Sequence, residues 1–328
     1  MVRHHRLHAR RIILCVALLP IAPWACTRTA ERTPERAPDS AQASASIAPA
    51  PADTDDFGLA LPIDVQFAER VVSLNPAATE IIFAIGAEAR LVGRSRWDIY
   101  PPAASAIPAV GDGIRPNVEA VLQMRPTLVV LYATAENRAA ATAFAKAGVR
   151  TIALRVDRIA QFVTLTRQLG IALGESARAA TVIDSVKHTL DKVREVTRRA
   201  TPRSVVWPLW QQPIMVVGSG SYLDELIEIA GGRNVFHDIA SPSPQVSLEE
   251  VARRNPDAII GTEKVRDQLL DKPHWKSVAA ARDGRFILED PALTGRPSVM
   301  LGMAAVALAH ALHPELADQL PAAPRRIP

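Results

Sequence analysis

The chain carries one helix–turn–strand unit twice. "NVEAVLQMRPTLVVL" (Asn117–Leu131) reads as a short helix, a Pro-containing turn and a buried strand. "SLEEVARRNPDAIIG" (Ser247–Gly261) repeats that order, with a Glu at the same place in each copy, Glu119 and Glu249. The segments upstream echo each other as well: "EIIFAIG" (Glu80–Gly86) precedes the first copy and "ELIEIAG" (Glu225–Gly231) the second. Two lobes of one plan are the economical fold for such a chain. Its 328 residues, 48% apolar and 22% charged, suffice for two ordinary domains with real cores.

The strand candidates are continuous apolar runs: Arg70–Leu74, Thr127–Tyr132 and Arg150–Val156, then Ser204–Trp210, Ile214–Gly218 and Arg285–Asp290. "LVG" and "AVG" add short extended pieces. Helical patterns fall between them, at Thr79–Gly86, Glu136–Ala147, Tyr222–Gly232 and Met300–Leu312. Alternation of helices with strands built on continuous apolar runs predicts parallel sheets covered on both faces. Between the lobes, expected at 70–173 and 201–316, lies Gly174–Ala200, free of internal Gly and Pro. Its Ala179, Val182, Ile183, Val186, Leu190 and Val193 recur at helical spacing. A helix of that length spans about 40 Å and reads as a rigid strut. Residues 317–328 read as a disordered tail.

The N-terminus reads as an export signal over residues 1–25. A basic stretch (Met1–Arg11) precedes "IILCVALLPIA" (Ile12–Ala22), which is too short to span a bilayer of ~30 Å. "PWAC" places Ala25 before Cys26, as in bacterial lipoprotein signals, although Pro23 and Trp24 depart from the usual residues there. Cys15 and Cys26 are the 2 cysteines of the chain, so removal of the signal leaves one unpaired thiol at the first position, which lipidation explains. Ordinary cleavage nearby is the alternative. Residues 26–69, rich in Ala, Pro, Ser and Thr, read as a disordered tether. Without Arg3, Arg6, Arg10 and Arg11, the 38 Lys and Arg fall to parity with the 34 Asp and Glu. Nothing in that balance asks for a nucleic-acid partner.

"RVVSLNPAATEIIFAIG", "VGDGIRPNVEAVLQMRPTLVVL", the long central helix and "IEIAGGRNVFHDIASPSPQVSLEEVARRNPDAII" occur in the order seen in a known family. Over Arg70–Leu312 the chain resembles the helical-backbone substrate-binding proteins of ABC importers, and within them the cobalamin binders. The resemblance implies an α/β protein with two Rossmann-like lobes, parallel sheets and one long rigid connecting helix, the class III arrangement. It implies a monomer without intrinsic cofactor. Such a protein holds a bulky metal chelate between its lobes and hands it to a permease dimer with ATPase subunits. The chelate is a corrinoid, haem or a ferric siderophore.

Candidate ligand-binding residues lie in the loops that follow the strands: Asn75, Trp97, Tyr100, Asp112, Arg115, Tyr132, Trp210 and Arg296. Aromatics there suit a large flat ligand. Trp207, set within a strand, reads as core. The resemblance puts Trp97 where cobalamin binders have Tyr, and Tyr132 where they have Trp. Two further cleft tryptophans of those proteins fall on Gly113 and Ser243. Asn117 and Ser247 are good N-caps, and Ser247 with Glu250 spells a capping box. Glu119 and Glu249 then sit in first helical turns, where the dipole favours acids. The resemblance gives them a second role, docking to one permease subunit each.

Other chemistry is weakly written. "GSGSYL" (Gly218–Leu223) ends in Leu rather than the last Gly of a dinucleotide loop, and it lacks the flanks of a nucleophile elbow. A helix-opening turn is the better reading. A secreted α/β hydrolase is the alternative of a different class. His188, His237, His274, His310 and His313 are scattered, so no metal site is expected.

Overall fold

The computed structural model describes residues 54–61 and 66–324. The predicted export signal, Cys26 and most of the predicted tether lie outside them. Two four-stranded parallel sheets organise the chain. The first contains β1 (Val71–Leu74), β2 (Leu91–Arg94), β3 (Leu128–Tyr132) and β4 (Arg150–Leu154) in the order β2-β1-β3-β4. The second contains β5 (Arg203–Val206), β8 (Gly232–Asn234), β9 (Ala258–Gly261) and β10 (Phe286–Leu288) in the order β10-β9-β5-β8. Read from its other edge, the second sheet has the plan of the first. A separate hairpin joins β6 (Pro208–Gln211) to β7 (Ile214–Val216).

Helices follow the same duplication. In the first half come α1 (Pro76–Ala84), α2 (Val118–Gln123), α3 (Ala135–Lys146) and α4 (Ile159–Ala172); α5 (Ser176–Thr197) follows. The second half has α6 (Tyr222–Ile229), α7 (Leu248–Arg254), α8 (Glu263–Leu270), the single turns α9 (Ala279–Arg282) and α10 (Pro291–Thr294), and α11 (Leu301–Leu312). The repeated unit is α2-β3 and α7-β9. Asn117 Oδ1 caps Ala120 N at 3.0 Å, and Ser247 Oγ caps Glu250 N at 3.1 Å. Each unit turns through a left-handed residue just before its proline, Arg125 (φ 49°) and Asn255 (φ 44°). These are the non-glycine residues with positive φ among those described. Proline disfavours helix at the residue before it, so both helices end there.

Alternation along the strands builds the core. Val71, Leu128, Val130 and Ile152 face one side of the first sheet, while Val72, Leu74, Val129 and Leu131 face the other. Val205, Ala258, Ile260 and Ile287 face the same continuous cluster from the second sheet. That shared cluster closes around α5, whose buried stripe is Ala179, Ile183, Val186, Leu190, Val193 and Thr197. Gly170 of α4 is needed at one crossing: a Cβ there would lie 2.5 Å from Ala179 Cβ.

Several expectations are corrected. The strut has 22 residues and spans about 33 Å, because Gly174 (φ 70°) turns the chain before it. The predicted strand Ser204–Trp210 breaks at Trp207: β5 joins the parallel sheet, and Pro208, which has no N–H to give a central ladder, opens the hairpin. Ile214–Gly218 therefore supplies the antiparallel arm β7. "AVG" makes an isolated bridge, Arg94 to Ala109. Glu250 turns to Arg253 and Arg254 and completes no capping box. Thr54–Leu61 is packed where a disordered tether was expected. Asp56 N donates to Ala153 O at 3.0 Å and Ala153 N to Asp55 Oδ2 at 3.1 Å, so this segment covers the free edge of β4. The expected disordered tail is likewise packed as far as Leu320, which is 7% exposed. The helices α4 and α8 and the strand β8 had no counterpart in the sequence reading.

Candidate functional site

A cleft of about 540 Å³ opens where the strands of the first sheet end. Leu74 and Asn75 follow from β1, Ser95 and Trp97 from β2, Tyr132 and Thr134 from β3, Val156 and Asp157 from β4. Across from them stand Tyr222, at the start of α6, and Gly295, Arg296 and Pro297, between α10 and α11. Crevices at the carboxyl ends of parallel strands are where open α/β sheets hold ligands. A further hollow of about 330 Å³ shares Asp157, Tyr222 and Gly295 and runs on to Trp207, Leu209 and Glu289. A cavity of about 530 Å³ bounded by Thr262, Leu288, Pro291 and Ala304 belongs to the second lobe alone.

Among the described residues, the buried side-chain N and O atoms without a partner are Asn75 Nδ2, Asn137 Oδ1 and Arg296 Nη2. All three residues line the interlobe cleft. The local structure explains how each is held. Asn75 caps α1, its Oδ1 accepting from Ala77 N at 3.0 Å and Ala78 N at 3.4 Å. Asn137 Nδ2 donates to Gly113 O and Tyr132 O, both at 2.9 Å. The amide orientations are thus fixed, with a free donor on Asn75 and a free acceptor on Asn137.

Arg296 reaches across the seam. Its Nε donates to Glu80 of α1, Ser298 Oγ donates to the other Glu80 oxygen at 2.5 Å, and its guanidinium lies 4.7 Å from the Tyr100 ring. Burial pushes the Glu80 carboxyl up, against the pull of Arg296. Asp98 sits close by, accepting from Ser95 Oγ and from Thr79 Oγ1 at 2.6 Å. Burial pushes its carboxyl up to about 6. Two further contacts tie the lobes: Arg158 pairs with Glu225 at 2.5 Å, and Tyr222 N donates to Asp157 O at 2.6 Å. Tyr132 donates its hydroxyl to Asp157, and burial, reinforced by that bond, raises the phenol above its usual range.

Of the residues singled out from sequence, Asn75, Trp97, Tyr132 and Arg296 meet in the cleft. Tyr100 stands behind Arg296. Asp112 is held by Arg96 at 2.5 Å, which takes its carboxyl down to about 2, and it accepts from Trp97 Nε1 at 3.4 Å. It thus positions the indole from outside the lining. Arg115 and Trp210 are exposed and lie outside the lining. Trp207 is 4% exposed, in keeping with its reading as core. Gly113 cannot carry a side chain: a Cβ there would lie 2.5 Å from Leu74 O. Sequence reasoning missed Glu80, Asn137, Asp157, Tyr222 and Ile114. The signal for Glu80 was a charge inside an apolar helical run. Glu119 and Glu249 are exposed in the first turns of α2 and α7. The backbone N–H and Ser247 hold Glu249 below the usual carboxylate range. Among the described residues no three His, Cys, Asp or Glu converge as a metal site, and no helix is long and apolar enough to cross a membrane.

Residues 71–293 match the family described as "Periplasmic binding protein". The vitamin B12-binding protein of Salmonella paratyphi A is 28% identical over 217 residues, covering 66% of this chain and 81% of that protein. Among solved structures, a periplasmic heme-binding protein from Roseiflexus sp. RS-1 is similar with a TM-score of 0.68 and 27% identity, over 75% of this chain and 98% of that one. The periplasmic vitamin B12 binding protein of Vibrio cholerae gives a TM-score of 0.66 over 75% of this chain and 96% of that one, with 23% identity, a likeness of fold.

Proposed function

Since this chain belongs to the periplasmic binding protein family, we propose that it is the substrate-binding protein of an ABC importer, capturing a corrinoid of the cobalamin type between its lobes. The observation that carries the reading is the apolar cleft mouth. Trp97 and Ile114 line the cavity yet are 57% and 58% exposed, and Leu209, on the adjoining hollow, is 41% exposed. Large apolar side chains left in water around a crevice mark a surface awaiting a partner. Similarity to vitamin B12-binding proteins supports a corrinoid as the chelate. The protein works in the periplasm, held to the membrane through a lipid on Cys26, and Glu119 and Glu249 dock one acid per lobe to the two subunits of the permease.

A haem or ferric-siderophore cargo is the second reading, favoured by the 27% identical heme-binding structure. Titration of the purified protein with cyanocobalamin and with haemin, followed by tryptophan fluorescence and absorbance, separates the two. Corrinoid binding with weak or absent haemin binding is expected. Tight haemin binding without a corrinoid signal overturns the cargo and leaves the receptor. The hydrolase reading finds no support: Ser219 Oγ donates to Ile239 O at 3.2 Å, with no base in reach among its hydrogen bonds.

A further inference from the structure

We propose that the cleft reads a primary carboxamide, Asn75 and Asn137 forming a donor–acceptor pair that selects a chelate edged with amides over one edged with carboxylates; this rests on the chelate-receptor reading above. Asn75 is 4% exposed and Asn137 0%, and both line the cavity. Each spends one end of its amide on the fold and keeps the other free. The free ends are of opposite kind. An N–H of Asn75 wants an acceptor, and the carbonyl of Asn137 wants a donor. A primary carboxamide offers both from one group. A carboxylate offers acceptors alone and leaves Asn137 Oδ1 unmet, which a buried site penalises strongly.

Charge points the same way. The charged residues lining the cavity are Arg296 and Asp157, and the charge of Arg296 is already paired with Glu80. No surplus positive charge remains to hold a carboxylate. Arg296 Nη2 instead offers a third donor, suited to an amide carbonyl. Trp97 and Ile114, both more than half exposed on the same wall, are the side chains free to yield as the ligand edge enters.

The test compares two matched pairs on the full chain by calorimetric titration. One pair is cyanocobalamin and a corrinoid whose peripheral carboxamides are hydrolysed to carboxylates. The other is haemin and its propionamide derivative. Within whichever pair binds, the amide member is expected to bind at least tenfold tighter. Asn75→Asp keeps the capping oxygen and turns the free donor into an acceptor, so it should weaken the amide member at least tenfold, the fold being checked by circular dichroism. Equal or tighter binding of the acid member overturns the carboxamide inference and leaves the chelate receptor standing. Failure of all four compounds to bind overturns the receptor's chelate class, and this inference with it. The wild-type comparison holds even where the variant does not fold.

Discussion

Arg296→Met removes the cation from the seam between the lobes and leaves Glu80, 2% exposed, with the Ser298 hydroxyl but no counter-charge. The loss of stability at neutral pH has a ceiling set by an alternative open to the fold: Glu80 can take up a proton. From its ordinary value of 4.5 to about pH 7, protonation costs ~3 kcal/mol at 1.36 kcal/mol per unit. That sits at the lower edge of the ~3–5 kcal/mol expected when one partner of a buried ion pair is deleted. Met retains apolar contact with Tyr100, so the cation–π loss is small beside the charge term. The sign follows from linkage. Arg296 lowers the Glu80 carboxyl, so without it the folded value rises further. The contribution of the protonated group is then fully present below about pH 4.5 and lost as pH rises through the new folded value. Urea unfolding at about pH 4.5, 5.5 and 7 should show the gap between wild type and variant growing with pH from near zero to less than the ~3 kcal/mol ceiling, since burial already raises Glu80 in the wild type. Adding Glu80→Gln to Arg296→Met should recover most of that loss. A gap that does not move with pH, or a double variant no more stable than Arg296→Met, refutes the reasoning.

Asp98→Asn replaces a carboxylate held at about 6 by burial with a neutral isostere. It should stabilise the protein by up to ~3 kcal/mol near pH 7, the gain fading as pH falls from about 6 towards about 4, below which the wild-type group is protonated in both states; a pH-independent difference in urea unfolding contradicts it. Glu119→Arg with Glu249→Arg should abolish uptake in cells carrying the cognate importer while the affinity for cyanocobalamin stays the same, and unimpaired uptake refutes docking through these acids. Gly170→Ala gains ~1 kcal/mol of helix propensity yet places a methyl group 2.5 Å from Ala179 Cβ. A net loss of ~1–2 kcal/mol from overpacking is expected, partly restored by Ala179→Gly, and a rise in Tm would show that α4 and α5 can part freely.

The features legible in the sequence were those carried by neighbours along the chain. Val71–Leu74 and Leu128–Tyr132 announced themselves as strands because both sheet faces are covered. The α5 stripe was readable because helical periodicity alone places Ala179, Ile183, Val186, Leu190 and Val193 on one side. The hairpin was misread because Ser204–Trp210 looks uniformly apolar, and only Pro208 marks where the ladder ends. Asp55 gave no warning of its role, since its partner is the edge of β4, far along the chain.

The site was half legible for the same physical reason. Trp97 and Tyr132 were found because aromatics after strand ends are conspicuous in any α/β chain. Asn137 was not, because "AENRAAA" is an ordinary helix start until Gly113 O is brought against its amide. Glu80 and Arg296 lie in different lobes, and neither segment alone says that the other will cover it. A buried charge that depends on a partner in the other lobe commits both lobes to one relative placement. The continuous apolar cluster around α5 commits them again. Rotation of one lobe against the other has to break Glu80–Arg296, Arg158–Glu225 and Tyr222–Asp157 together. Movement of Trp97 or Ile114, half in water already, breaks no buried polar contact of that kind. The resistance to lobe rotation is therefore written in contacts between distant segments, which is why the sequence patterns showed two lobes and a strut but not the seam between them.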